Sequence, residues 1–369
     1  MSLQARADVV VIGGGATGAS AAWHLAAAGI TDVLLLERDV LAAGSTSKAA
    51  GGIRLQFADE LNIRLMLRAM AAYEEFEDRF GVDIGFRQPG YLFLVGPEER
   101  DQFDAALRAQ RALGVDTQRL TLEQASEMVP QLNPDGLSHA TFNPREGYAT
   151  PESVVQGYAS AAHARGVRIR QGCSVTGIET VAGRIAAVVT TKGTVLTDTV
   201  VCAAGVDSAH IGSMVGLDIP LRAEPHWLHY SPGDCGLPPD MPLTIDFATG
   251  FYMHREGTGL LLGGRETQLD DFAITATARF PALENLGVQS SWWGNYEMSP
   301  DHNAIVGHAH EPDGFYYATG FSGHGFQQSP AIGEHIAERV AGIGPTLDLS
   351  ALSLERFARG THREEAFVI

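Results

Sequence analysis

Residues 8–37 constrain the fold more than any other stretch, because they combine a strand, a glycine-rich turn, a helix and a second strand. Four apolar, mostly β-branched residues open the stretch and are typical of a strand buried on both faces. The small-residue segment after the turn ends at a glycine, as expected for a helix packed on a sheet. These features predict a strand at 9–12, a helix at 16–28 and a strand at 33–36, which together form a βαβ unit.

Three glycines in this unit, Gly13, Gly15 and Gly18, have the G-x-G-x-x-G spacing of a dinucleotide-binding loop. Gly13 permits the tight turn, Gly15 lets the backbone approach a pyrophosphate, and Gly18 lets helix and strand pack closely. The helix N-terminus presents free N–H groups to the phosphates. Glu37, at the end of the second strand, can accept hydrogen bonds from ribose hydroxyls. An ordinary glycine-rich loop is the alternative, but it leaves the register of strand, helix, strand and acid unexplained.

Length and charge narrow the class of protein. At 369 residues the chain is too long for one compact core, so two domains are expected. A formal net charge of −18 argues against nucleic acid or an anionic membrane as a partner. Cys173, Cys202 and Cys235 have no C-x-x-C spacing, so neither a disulfide framework nor a metal site is indicated. We recognise no charged leader and no stretch of membrane-spanning length, and we therefore expect a cytoplasmic protein.

The rest of the pattern predicts two interleaved domains. Several predicted elements do not continue the alternation of strand and helix. They are helices at 61–80, 98–113 and 121–129, a strand at 90–95, and a sheet within the aromatic-rich segment 220–264. A helix from Pro151 to Gly166, a meander over 174–196, strands at 199–203 and 314–318 and a last helix at 331–340 return to the first domain. We assign residues 1–82, 145–218 and 300–369 to a nucleotide-binding domain, and 83–144 and 219–299 to a substrate or cap domain.

Four motifs together resemble the D-amino-acid oxidase superfamily of FAD-dependent oxidoreductases. They are the first βαβ unit, the Gly44–Ser45–Thr46 loop, the strand end Ala203–Ala204–Gly205, and the glycine-rich stretch Gly320–Phe326. That last stretch and the segment Tyr296–Asp301 are most similar to the branch of sarcosine oxidase and dimethylglycine dehydrogenase. The resemblance implies an α/β fold: a Rossmann-like FAD-binding domain interleaved with a substrate domain on a mixed, largely antiparallel β-sheet.

The resemblance also implies FAD as the cofactor and assigns residues to it. The first glycine loop and Glu37 would bind the ADP half of FAD, and the Ser-Thr loop would follow the phosphates and the ribityl chain. Val175 would lie against the adenine. Gly320, Gly323 and Gly325 leave backbone N–H groups unshielded before a helix, which would stabilise negative charge on the reduced flavin. The full predicted set is Ile12, Gly13, Gly15, Ala16, Thr17, Gly18, Glu37, Arg38, Gly44, Ser45, Thr46, Ser47, Lys48, Ala50, Gly51, Gly52, Val175, Ala203, Ala204, Gly205, Gly320, Gly323, His324, Gly325, Phe326 and Gln327.

For the substrate, the resemblance points to Arg54, which ends the flavin loop and would hold a carboxylate bidentately. His324, Tyr252 and Arg265 complete the predicted catalytic set, and His254 is a further candidate for the pocket wall. Each has a plainer alternative: an ion pair with a surface acid for Arg54, a hydrogen bond within a turn for His324, and simple sheet packing for Tyr252 and His254.

Departures from the relatives shape the expectation. Gln327 stands where sarcosine oxidase-like members carry a lysine, so a second cation for the carboxylate is missing. Gly294 and Lys48 stand where different members attach the flavin through a cysteine or a histidine, and we therefore predict non-covalent FAD. The lysine that helps oxygen accept electrons in the oxidases is also missing, and Arg265 is the nearest substitute. Oxidase and dehydrogenase activity both remain open.

The function hypothesis follows from these assignments. FAD accepts a hydride from the carbon beside the nitrogen of a small amino acid or N-methylated amino acid, and the resulting imine hydrolyses. The neutral amine is the reactive form, so activity is expected to rise with pH. Partners are then a small-molecule amine and oxygen or another electron acceptor, with the oligomeric state left open. Alternatives are a dehydrogenase that passes electrons to a quinone or protein, a non-catalytic FAD-bound assembly factor, and a nicotinamide-only dehydrogenase.

Overall fold

A six-stranded sheet forms the first layer of the computed structural model, which describes residues 6–369. Five neighbouring strands run parallel, and the strand at one edge pairs antiparallel. The central strands are buried apolar runs, as is typical of a parallel sheet covered on both faces. The spatial order is β18 (Ile305–His308), β19 (Phe315–Thr319), β12 (Val200–Cys202), β1 (Val9–Ile12), β2 (Val33–Leu36) and β8 (Arg168–Arg170). The predicted βαβ unit is confirmed at the centre of this sheet.

An eight-stranded sheet forms the second layer, and it is mixed and largely antiparallel, as predicted. One pair of neighbouring strands, β14 and β4 below, is parallel and the others are antiparallel. Its order is β17 (Ser290–Met298), β13 (Arg222–Ser231), β16 (Gly259–Gly264), β15 (Phe251–Glu256), β14 (Leu243–Asp246), β4 (Tyr91–Val95), β6 (His139–Asn143) and β5 (Gln118–Leu120). Two smaller sheets contain β9 (Val175–Val181), β10 (Arg184–Thr190) and β11 (Gly193–Leu196), and β3 (Gly52–Ile53) with β7 (Gly147–Tyr148).

Two helices, Ala16–Ala27 and Gly325–Val340, cross at very close range, and the N-terminus of each contributes to the candidate site. A side chain at Gly333 would stand 2.2 Å from Ser20 Oγ and 2.7 Å from the backbone of Ala21, so only glycine fits there. The helices are α1 (Ala16–Ala27), α2 (Glu60–Glu74), α3 (Phe76–Phe80), α4 (Arg100–Ala112), α5 (Leu122–Met128), α6 (Pro151–Ala164), α7 (Ser208–Ser213), α8 (Leu269–Arg279), α9 (Gly325–Val340) and α10 (Glu355–Arg359). Within residues 6–369, no helix has the length and apolarity needed to cross a bilayer.

Two predicted helices have different bounds. The helix predicted at 61–80 is interrupted at Glu75 and forms α2 and α3. The last helix begins at Gly325 rather than at 331, although Pro330 lies inside it. Proline cannot donate to the carbonyl of Phe326 one turn earlier, and the hydroxyl of Tyr73 donates to that carbonyl instead at 2.6 Å. This replacement lets the helix start within the glycine-rich motif itself.

Candidate active site

One cavity of about 470 Å³ takes its lining from both large sheets and from the N-termini of α1 and α9. Its volume lies in the range of roughly 300–1,000 Å³ that small-molecule sites occupy. Most of the predicted cofactor residues line it: Ile12, Gly13, Gly15, Ala16, Thr17, Glu37, Arg38, Gly44, Ser45, Thr46, Lys48, Ala50, Gly51, Gly52, Val175, Ala203, Ala204, Gly205, Gly323, His324, Gly325, Phe326 and Gln327. Arg54 and Tyr252 line it as well. Gly18, Ser47, Gly320 and Arg265 do not belong to this lining.

The first glycine loop is too tightly packed for side chains. Gly13 has φ +111°, and a Cβ there would lie 2.2 Å from the carbonyl oxygen of Ala203. A Cβ on Gly18 would lie 1.9 Å from the carbonyl oxygen of Gly13. Gly18 therefore acts as the close helix–strand contact and lies behind the cavity wall.

Polar groups around the start of α1 are arranged for a nucleotide. The carboxylate of Glu37 accepts hydrogen bonds from the backbone N–H of Gly14 (2.7 Å) and of Asp39 (2.8 Å), which leaves further lone pairs free towards the cavity. Thr46 Oγ1 accepts from the backbone N–H of Ala16 at 3.2 Å, so the Ser-Thr loop lies directly over the helix N-terminus. Arg38 pairs with Asp207 at 2.9 Å on the exposed rim.

The second helix N-terminus in the cavity belongs to α9, which has His324 as its N-cap residue without a side-chain cap. A Cβ on Gly323, where φ is +90°, would lie 2.5 Å from the ring of Tyr296. Gly320 differs from the prediction, because it does not belong to the cavity lining, and the backbone of Gly320 and Phe321 acts instead to lower the pKa of Glu297. The hydroxyl of Thr319 also donates to this carboxylate at 2.7 Å. Burial nevertheless raises the pKa of Glu297 to about 7.

These residues fit an FAD. Two helix N-termini whose N-cap residues provide no side-chain cap meet in one cavity, with the Ala16 N–H of α1 bonded to Thr46, and the glycine positions between them exclude side chains. The two positions at which relatives attach flavin covalently also lie together, since a Cβ on Gly294 would stand 2.9 Å from Lys48 Cβ. Lys48 Nζ lies 5.5 Å from the ring centroid of Trp293. Gly294 and Lys48 carry neither the thiol nor the imidazole through which those relatives attach the cofactor.

Arg54 is 3% exposed and lies among aromatic rings, with its guanidinium carbon 4.0 Å from the ring centroid of Phe57. Nη1 donates to the carbonyl of Gln56, and Nη2 donates to the carbonyl of Phe367 and contacts His324 Nε2 at 3.0 Å. Three of the five guanidinium N–H groups are therefore used by the protein. The Nε–H and one Nη1–H that remain do not share an edge of the fork. In this arrangement Arg54 therefore cannot bind a carboxylate through the two parallel hydrogen bonds that were expected. It can still donate one hydrogen bond to a carboxylate.

Two buried side chains, those of His324 and Glu146, position Arg54. Burial, together with the Arg54 guanidinium, keeps the pKa of His324 well below its usual range, so this imidazole is neutral and accepts at Nε2. Glu146, which is fully buried, accepts from the backbone N–H of Leu55 and, at 2.8 Å, from that of Gln56. The carboxylate fixes the two residues after Arg54, and burial raises its pKa to about 7. No sequence motif had indicated a role for Glu146.

The end of the cavity beside Arg54 is mostly apolar. Its lining there comes from strands of the eight-stranded sheet and includes Tyr91, Leu228, Leu243, Ile245 and Tyr252, with Ile369 from the last residues of the chain. Tyr252 thus has a place in the cavity wall, as predicted.

His226 and Tyr296 are lining residues that the sequence analysis did not single out. The two rings stack with centroids 3.7 Å apart, and the His226 side chain is only 9% exposed. Glu224 Oε1 lies 3.4 Å from His226 Nε2, whereas Nδ1 has no hydrogen-bond partner in the described part of the chain. Burial lowers the pKa of His226, so the ring is neutral at pH 7. Tyr296 opens the Tyr296–Asp301 motif, which was a usable signal, whereas nothing in the strand around His226 marked it.

Two predicted substrate residues have other positions. Arg265 is exposed and donates from Nη2 to the carbonyl of Val368 at 3.2 Å, outside the cavity. The reason is that it follows directly after β16, where the chain leaves the sheet. His254 is buried behind the flavin loop, where Nε2 lies 3.1 Å from the carbonyl of Ala50 and the ring contacts Tyr148. It supports the loop and does not line the cavity.

Comparisons with known proteins agree with this geometry. The family model described as FAD dependent oxidoreductase (DAO) matches residues 8–339. Sarcosine dehydrogenase of Homo sapiens is 29% identical over 96% of this chain and 42% of its own length. Sarcosine oxidase subunit beta of Rhizobium meliloti is 30% identical over 96% of this chain and 89% of that protein. The structure of L-proline dehydrogenase from P. horikoshii is similar with a TM-score of 0.90 and 31% identity, covering 97% of this chain and 99% of that one.

The chain thus spans less than half the length of the human sarcosine dehydrogenase that it matches, but nearly all of the proline dehydrogenase. The resemblance inferred from the motifs and the mixed α/β architecture inferred with it are both confirmed. The family match covers both helix N-termini of the cavity. This chain belongs to the D-amino-acid oxidase family of FAD-dependent oxidoreductases, and FAD is the cofactor of that family.

Proposed function

We propose that this protein oxidises the C–N bond of a small amino acid or N-methylated amino acid. The observation that carries the proposal is Arg54, a buried cation that lines the cavity beside the N-terminus of α9. Burial lowers the pKa of Arg54, yet a guanidinium stays protonated at neutral pH. A buried positive charge at an otherwise apolar cavity end suits a substrate with one carboxylate and a compact apolar body.

FAD is proposed to bind without a covalent link, with its ADP half along Gly13–Ala16 and Glu37 and its reactive half near Lys48, Tyr296 and Gly323. When bound, it supplies the group that accepts a hydride. The N-terminus of α9 offers unpaired backbone N–H groups and the positive end of a helix dipole at that part of the cavity. The helix end therefore favours the more negative, reduced state of any cofactor held there.

Arg54 orients the substrate through its carboxylate. Because Nη2 is already held by the carbonyl of Phe367 and by His324, the carboxylate is proposed to contact the Nε–H or the remaining Nη1–H. The apolar wall of Tyr91, Leu243 and Tyr252 then packs against the substrate's carbon atoms and excludes water from the reacting bond.

The amine has to lose a proton before it reacts, since an ammonium has no lone pair to stabilise the imine. His226 places a neutral imidazole in the cavity wall, with Nε2 3.4 Å from Glu224 Oε1 and with Nδ1 unpartnered among the described residues, and Nδ1 can accept a hydrogen bond from the substrate's ammonium. We propose His226 as the group that receives this proton. No metal and no side-chain nucleophile are needed.

The names of the relatives support this substrate class, since they include sarcosine, dimethylglycine and proline dehydrogenases and a glycine oxidase. The deciding experiment mixes the purified protein anaerobically with sarcosine, N,N-dimethylglycine, proline and D-amino acids and follows the flavin absorbance. Bleaching by at least one of them is expected. A flavin band that survives all four classes would overturn the proposal.

The electron acceptor is a separate question with its own assay. Lys48 is the lysine that lines the cavity, and it lies beside Trp293 at the edge of the sheet. Peroxide formed per reduced flavin separates an oxidase from a dehydrogenase that uses a quinone or a protein. The predicted cytoplasmic location stays a prediction.

A further inference from the structure

The last residues of the described chain, Arg363–Ile369, run back from the first layer into the substrate end of the cavity. Phe367 is fully buried and its ring stacks on Phe103 with centroids 4.2 Å apart. Ile369 lines the cavity and packs against the same apolar cluster as Tyr91 and Tyr252. We name residues 363–369 the strap.

Polar contacts seat the strap at Arg363, Glu365, Phe367 and Val368. Glu365 has no exposed surface, and its carboxylate accepts from the backbone N–H groups of Ala58 (3.0 Å) and Asp59 (3.1 Å) and from Asn62 Nδ2 (2.9 Å). The N–H of Phe367 donates to the same carboxylate at 2.9 Å. A buried carboxylate that accepts four hydrogen bonds holds the strap firmly, because a charge-assisted hydrogen bond is stronger than a neutral one.

Two further contacts fix the first half of the strap. The Asn303 side chain donates to the carbonyl of Arg363 at 2.6 Å, and the N–H of Glu365 donates to the carbonyl of Asp301 at 3.0 Å. Arg265, which was predicted to be catalytic, donates to the carbonyl of Val368 from outside the cavity. The strap is therefore a defined structural element and not a loose end of chain.

The strap also holds the proposed carboxylate-binding residue. The carbonyl of Phe367 accepts from Arg54 Nη2, the nitrogen that also contacts His324. It thereby fixes which N–H groups of Arg54 remain for a substrate. At the same time Ile369 occupies space at the apolar end of the cavity.

We propose that the strap sets substrate specificity: Ile369 limits the size of the substrate's side chain, and Phe367 positions Arg54 for its carboxylate. This inference rests on the proposed function, in which the substrate is an amino carboxylate. The strap, which lies outside the family's cofactor motifs, supplies the aliphatic wall through Ile369 and holds the charged Arg54 through the carbonyl of Phe367. Ile369 is a specificity residue, and Phe367 and Glu365 are positioning residues.

The first test measures kcat/KM for N-methyl derivatives of glycine, alanine, valine and leucine with wild type and Ile369→Ala. Removing three carbons from the wall should shift the preference from the glycine to the leucine derivative by about tenfold or more. Ile343→Ala, at a half-exposed isoleucine away from the cavity, is the matched control and should keep the wild-type profile. An unchanged profile in Ile369→Ala overturns the role of Ile369.

The second test uses Glu365→Gln, which keeps the size of the anchor but replaces one acceptor oxygen by a donor. Equilibrium binding of a non-reactive carboxylate and of its amide is titrated, with FAD content and Tm measured on the same samples. Carboxylate binding should weaken by about tenfold while amide binding changes less than twofold, because only the carboxylate uses Arg54. Equal losses for both ligands, or none for either, would contradict the positioning role.

The experiments distinguish a failure of the proposed function from a failure of the role proposed for the strap. If none of sarcosine, N,N-dimethylglycine, proline and D-amino acids bleaches the wild-type flavin, the proposed function is wrong. If wild type is bleached but both variants behave as wild type, the function stands and the strap is only a structural segment.

Discussion

Replacing Arg54 with lysine tests the substrate assignment with the charge retained. In the structure, the guanidinium donates to the carbonyls of Gln56 and Phe367 and contacts His324, and two N–H groups remain. A lysine ammonium has three donors in total. If it satisfies the same three protein groups, it has none left for a substrate carboxylate.

The expected loss is therefore one charge-assisted hydrogen bond, worth about 1.5–3 kcal/mol, or about ten- to hundredfold in affinity. Because this contact exists both before and during the reaction, the loss should appear in KM with kcat nearly unchanged. The assay is anaerobic stopped-flow reduction of the flavin over a range of substrate concentrations. FAD content is checked by the ratio of flavin to protein absorbance.

Arg64→Lys is a suitable control, since Arg64 lies on the exposed face of α2 and pairs there with Glu60. It should match wild type in both kinetic constants. A KM in Arg54→Lys within twofold of wild type would refute the reasoning, and so would an equal rise in KM for an amine without a carboxylate. Either result would remove Arg54 from the substrate and leave it a role in the packing of the strap.

Three further predictions concern the cofactor loop and stability. Gly18→Ala should lose most of its FAD, because the new methyl group would collide with the glycine loop, whereas Gly287→Ala, with nothing within 4 Å, should retain it; flavin absorbance of the purified proteins decides. Burial lowers the pKa of His254 to about 4, so the unfolded state binds more protons below pH 6.5 and stability should fall by up to about 3 kcal/mol towards pH 4; His254→Gln should reduce that slope in urea unfolding. Tyr73→Phe leaves the buried carbonyl of Phe326 without its donor and should lower the free energy of unfolding by about 1–3 kcal/mol, measured by urea titration.

The cofactor half of the site was predictable because its signals are local. Gly13, Gly18 and Glu37 lie within one βαβ unit, and each glycine is required by a backbone contact inside that unit or with the adjacent strand. The helix after the second glycine motif was placed one and a half turns too late. The predicted start at 331 directly follows Pro330, and the hydroxyl of Tyr73 that allows this proline inside the helix comes from a helix far away in the sequence.

The substrate half was predictable only in part. Tyr252 and Arg54 line the cavity as expected, but Arg265 and His254 lie beside it and behind the loop. Alternation along a strand tells which residues share a face, and it does not tell which strand of an eight-stranded sheet lies over a cavity. His226 shows the same limit, since its importance comes from its place in the cavity wall and from an Nδ1 without a partner among the described residues, which no sequence pattern records.

The state of Arg54 depends on three parts of the chain that only the fold brings together. Its backbone is held by Gln327 and by the carboxylate of Glu146 through the next residue, and its guanidinium is held by Phe367. A motif can identify the residue type at such a site, because charge and reach belong to the side chain itself. How many donors remain for a ligand is decided by the partners, and here they leave a single-point contact where the motif suggested a two-point one. Substrate preference among proteins with the same glycine loops should therefore vary with segments such as the strap, which lie outside those loops and yet complete the cavity wall.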